Sequence, residues 1–61
     1  MGVEIEVTVL RETDKALLVM ITESKEEIWL PRSQVVEGEI AVGDSGSLTI
    51  TDWIAREKGL D

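Results

Sequence analysis

The sequence predicts an all-β domain, a small antiparallel barrel of four to five strands, SH3-like or OB-like in class, with a short C-terminal helix. Three observations predict it. Val3, Ile5, Val7 and Val9 alternate with Glu4, Glu6 and Thr8, the period-two signature of a half-buried strand. Ala16 to Ile21 is an unbroken aliphatic run, the length of one strand and apolar on both faces. The hydrophobic content is 43%, yet two Trp are the only aromatics, so the core is built from aliphatic side chains rich in the β-branched types that suit a pleated surface.

Each element follows in order. The alternation from Val3 to Val9 gives the first strand, and Glu12-Thr13-Asp14-Lys15 interrupts it with turn-forming residues. Ala16 to Ile21 gives the second. Thr22 to Glu26 is a polar hairpin connection. In the third strand, Glu27 to Leu30, Ile28 and Leu30 share one face and Trp29 takes the other. Pro31 ends it, because proline donates nothing to a ladder. Arg32-Ser33-Gln34 forms a loop or one helical turn, and Val35-Val36 and Ile40-Ala41-Val42 are short strand pieces. Gly38 and Gly43-Asp44-Ser45-Gly46 mark turns, and Ser47 to Thr51 is the last strand. Asp52 stands at an N-cap position ahead of a helix ending near Gly59, with Leu60 as the hydrophobic contact behind the glycine. A helix this short needs tertiary support, so Trp53, Ile54 and Leu60 are expected to pack onto the barrel end. Closure of the barrel would hide its edge strands.

Composition narrows the chemistry. The 61 residues contain no Cys and no His, which removes disulfides, thiolate nucleophiles, imidazole bases and zinc sites with nitrogen or sulfur ligands. Neither enzyme activity nor a cofactor is expected. No basic leader precedes an apolar stretch and no run approaches a membrane span, so the sequence reads as cytoplasmic, with no membrane partner. Thirteen acidic and six basic residues give a net charge of −7, which opposes phosphate backbones at long range. Nucleic acid is therefore disfavoured as a partner without being excluded. From Ser33 to Ala55 there is no cation at all, a stretch suited to a solvated acidic face or to contact with a basic partner.

The candidate ligand site combines aromatic and cationic residues: Lys15, Trp29, Arg32, Ser33, Trp53, Arg56 and Lys58. A Trp face stacks on bases, and neighbouring cations hold phosphate. The competing reading places Trp29 and Trp53 in a second small core beneath the helix, with the cations snorkelling around it; a third makes them a subunit interface. The Gly43-Asp44-Ser45-Gly46 loop lacks the spacing of a phosphate cradle and is read as a turn, and Glu4, Glu6, Glu26 and Glu27 are read as solvated charges. The second strand has more apolar surface than one barrel wall hides, so Leu17, Val19 and Ile21 are expected to face a neighbouring copy in a homo-oligomer.

Three segments carry a resemblance. Glu12 to Val19 contains E-T-x-K-A-L-L, Ile28 to Gln34 contains W-L-P-R-S, and Leu48 to Leu60 contains W-I-A-x-x-K-G-L. In this order they resemble a group of short uncharacterised bacteriophage and prophage proteins. The resemblance implies a phage-type protein of the bacterial host's cytoplasm and transfers no activity. The leading expectation is therefore a non-catalytic binding protein that occupies or sequesters a host component, either a basic protein surface or a compact phosphorylated, nucleotide-like ligand. A single-stranded nucleic-acid accessory module of OB type is the alternative.

Overall fold

A computed structural model describes residues 2–60. Five strands and two short helical segments follow one another: β1 Gly2–Glu12, β2 Ala16–Ile21, β3 Glu27–Pro31, a 3-10 turn Arg32–Gln34, β4 Val35–Glu37, β5 Ser45–Thr51 and α1 Asp52–Glu57. All ladders are antiparallel and the sheet order is β3-β2-β1-β5-β4. The all-β class with a C-terminal helix is as the sequence predicts. The hydrogen-bonded series begins at β3 and ends at β4, which sit at its two edges.

β1 is longer than its alternation suggests because it serves two partners in succession. Gly2 to Thr8 pair with β5, and Val7 to Glu12 pair with β2. Between Val9 and Arg11 the register shifts by one residue, so that Val9 lies opposite Val19 but Arg11 lies opposite Leu18. Such a bulge adds twist and bends the strand. The loop before β5 is pinned beside it: the Gly43 amide donates to the Val9 carbonyl at 2.7 Å, and the Val9 amide donates to the Asp44 carbonyl at 3.0 Å. Gly43 has φ +94°, a conformation that favours glycine at this turn. These contacts leave Ile40-Ala41-Val42 as loop instead of strand.

One face of the sheet is the core. Ile5, Val7 and Val9 of β1, Leu17, Val19 and Ile21 of β2, Leu30 of β3, Leu48 and Ile50 of β5, and Ile54 and Ala55 of α1 form a single buried cluster. Each large aliphatic side chain contributes on the order of 1.5–3 kcal/mol by leaving water. This corrects the expected oligomer interface. Leu17, Val19 and Ile21 are buried by their own chain, since Val19 opposes Val9 and Ile21 opposes Val7, and side chains opposite one another share a face. The other face of β2 carries Ala16, Leu18 and Met20, all half-buried.

The helix closes one end of the core. Its N-cap is Thr51, one residue before the expected Asp52; the Thr51 hydroxyl accepts a hydrogen bond from the Ile54 amide at 3.2 Å, and Asp52 occupies the first turn. At the other end, the Gly59 amide donates to the Arg56 carbonyl and the Leu60 amide to the Ala55 carbonyl, with Gly59 at φ +69°, a glycine-terminated Schellman arrangement. Ile54 and Leu60 pack onto the core as expected. Trp53 does not and is 56% exposed. Among the described residues no helix is long and apolar enough to cross a membrane.

Candidate functional site

Trp29 stands on the outer face of the sheet because its neighbours Ile28 and Leu30 turn inward. It is 45% exposed. Across the ladder it faces Leu18, and Leu18 in turn faces Arg11 on β1. Met20 lies two residues along β2, opposite Glu27 on one side and Thr8 on the other. An indole and two aliphatic side chains therefore form a shallow apolar platform with Arg11 at its far margin. The bulge contributes by placing Arg11, not Leu10, opposite Leu18.

A nook lined by Asp14, Lys15, Pro31, Arg32 and Ser33 lies at the end of β3 beyond Trp29. Local hydrogen bonds build it. The Thr13 amide donates to the Ala16 carbonyl at 2.8 Å, and the Thr13 hydroxyl accepts from the Ala16 amide at 3.0 Å, a side-chain-supported turn. The Arg32 amide then donates to the Lys15 carbonyl at 2.8 Å, joining the β1–β2 turn to the 3-10 segment. The Arg32 guanidinium reinforces the same junction: Nε donates to the Thr13 carbonyl at 2.8 Å, and Nη2 meets Glu12 Oε2 at 3.0 Å. Arg32 thus acts first as a tether. Its pairing with Glu12 is 44% and 50% exposed on the two sides, so screening keeps its worth below about 1 kcal/mol.

The sequence-predicted site is thereby divided. Lys15, Trp29, Arg32 and Ser33 come together along β3 and the turn beside it. Trp53, Arg56 and Lys58 do not join them. They lie on and just after α1, which follows β5 where Thr51 pairs with Gly2, at the opposite end of β1 from Arg11. The alternative reading of a shared mini-core under the helix is also overturned, because both indoles are about half exposed. The sequence-predicted ligand site leaves out Arg11, Leu18 and Met20; the parity of Trp29 and the apolar run of β2 were the available signals for Leu18 and Met20.

Beyond the far end of β2 the surface is different. A groove there is lined by Glu4, Glu6, Glu23 and Glu26 around Ile5, Ile21 and Leu60. β3 runs from Glu27 at this end to Pro31, past which Lys15 and Arg32 stand beside Asp14 and Glu12. Among the described residues no His, Cys, Asp or Glu group is arranged to hold a metal ion.

Fold and site together define a small antiparallel β domain that presents an aromatic and aliphatic platform beside cations. The chain belongs to the S1 domain family: that family's model matches residues 1–46, which takes in β1 to β4 and the first residues of β5. S1 domains are of OB type, which distinguishes between the two barrel classes that the sequence left open. No curated protein and no solved structure matches the chain.

Proposed function

We propose that this domain binds single-stranded nucleic acid, with Trp29 stacking on a base and the Lys15 to Ser33 nook receiving the adjoining phosphate. Membership of the S1 family supports this reading over sequestration of a host protein, because OB-type domains bind oligonucleotides on the face of strands two and three and through the adjoining loops. The observation that carries it is the position of Trp29, half exposed on the outer face of β3 and opposite Leu18 of β2. A π-face in that position accepts any base, at roughly 1–3 kcal/mol per stacked base.

The net charge of −7 bears on the strength and character of the interaction. Among the described residues Arg11, Lys15 and Arg32 are the cations placed at the platform's margins, and Arg32 already engages Glu12. Two or three phosphate contacts imply a shallow salt dependence, with log K falling by about 2 or less per decade of salt for a single strand. Stacking dominates such a complex. The test is a fluorescence-anisotropy titration of a labelled single-stranded oligonucleotide at low salt, with Trp29→Ala alongside the native chain. Saturable binding that falls on the order of tenfold in the variant supports the reading; a flat titration with the native chain refutes it.

A further inference from the structure

The nook past one end of β3 holds cations beside Asp14, whereas a carboxylate stands on the platform's own face at the other end, and this difference gives a bound nucleotide a direction. Lys15, Arg32 and Ser33 stand past Pro31 at one end, with Asp14 lining the same nook. Glu27 stands at the other, two residues before Trp29 and on the same outer face, since Ile28 between them is turned toward the core. Two residues of extended chain span about 7 Å, which is the scale of a nucleobase. A base lying on the Trp29 indole with its phosphate in the nook therefore directs its opposite edge at Glu27. Among the described residues the Glu27 carboxylate makes no hydrogen bond and no ion pair, so both of its oxygens are free to accept. They accept only, because an ionised carboxylate has no proton to donate.

We infer that Glu27 is a specificity-determining residue that selects guanine over uracil at the stacked position. The inference rests on the stacking reading above and names its preferred ligand. Guanine presents two adjacent donors, N1–H and the exocyclic N2 amine, which match the two oxygens of one carboxylate. Adenine and cytosine offer a single exocyclic amine beside an acceptor nitrogen, which gives half of that match. Uracil offers one N–H between two carbonyl oxygens, and both carbonyls repel the carboxylate. A paired, charge-assisted contact of this kind separates bases by about fivefold or more. The same end also disfavours a longer ligand: Glu23, Glu26 and Glu27 outnumber Lys25 there and oppose a backbone continuing beyond the base edge.

The experiment compares labelled pentanucleotides U-U-G-U-U and all-uridine by anisotropy at low salt, using the native chain, Glu27→Gln and Glu26→Gln. Both variants substitute exposed side chains, and circular dichroism checks that they fold. The expected result is a preference of about fivefold for the guanine oligonucleotide in the native chain and in Glu26→Gln, abolished in Glu27→Gln while affinity for all-uridine is kept or raised. Equal affinity of the native chain for both oligonucleotides overturns the role of Glu27 and leaves the stacking reading standing. A preference that survives Glu27→Gln, or that Glu26→Gln removes equally, overturns it as well. No binding to either oligonucleotide overturns the stacking reading and the inference together.

Discussion

The two tryptophans of this chain are similarly accessible, 45% for Trp29 and 56% for Trp53, but they stand in different surroundings. Trp29 projects from the middle of a strand and is supported across the ladder by Leu18, with Arg11 beyond it and the Lys15 nook at the strand's end. Trp53 projects from the first turn of a six-residue helix whose buried residues are Ile54 and Ala55. A sheet holds several side chains in a common plane, whereas one turn of a short helix presents a single ring. Exposure alone therefore does not separate the two; what separates them is the flat neighbourhood and the cations around Trp29, on which the proposed stacking rests.

The largest effect available to sharpen this contrast lies just behind the platform. Leu30 is fully buried although it adjoins Trp29 in sequence, and Leu30→Ala should cost about 2–5 kcal/mol in a denaturant titration. A domain of this size has little stability to spare, so that variant should lose oligonucleotide binding through unfolding. Trp29→Ala is the complementary case. It should leave the denaturation midpoint nearly unchanged and weaken binding by roughly 1–3 kcal/mol, whereas Trp53→Ala should alter anisotropy titrations by less than a factor of about two. Equal losses from the two substitutions would erase the contrast.

Smaller effects come from the cations. Lys15→Ala should weaken binding about two- to fivefold and reduce the slope of log K against log salt by about 0.7, the share of one phosphate contact. Arg32→Ala should be read in stability first: removing the tether to Glu12 and the Thr13 carbonyl should lower the denaturation free energy by up to about 1 kcal/mol. Arg56→Ala and Lys58→Ala, beside Trp53, should change neither measurement.

The same contrast explains what could be read from the residues alone. Alternation along β1, the aliphatic run of β2, the stop at Pro31 and the glycine behind α1 are local signals, and each element formed where its signal stood. Trp29 was also placed correctly, since parity within a strand is local. The division of the cationic and aromatic residues was not legible. It depends on which end of β1 meets which partner, and the pairing of Gly2 with Thr51 and of Arg11 with Leu18 is tertiary. The apolar excess of β2 suggested a neighbouring copy for Leu17, Val19 and Ile21, because nothing in sequence says which of two apolar faces the chain itself will cover. The bulge after Val9 and the pinning of Gly43 against it likewise arise from β1 having to bend, which has no motif. Val42 and Ala41 read as strand for their residue type and became loop because Gly43 and Asp44 hydrogen-bond to Val9.

The shared use of β1 has one more consequence. Its middle stretch, Glu6 to Val9, is flanked on both sides: the Glu6 carbonyl accepts from the Thr22 amide, Val7 and Thr8 have partners on β2 and β5, and Val9 meets β2 and the Gly43 loop. Elsewhere along β1 the strand is paired on one side only, Gly2 to Ile5 with β5 and Arg11 and Glu12 with β2. Within β1, deuterium uptake should therefore advance from the two ends inward, with Glu6 to Val9 the last protons of that strand to be replaced. This short segment is the keel on which both halves of the sheet are laid.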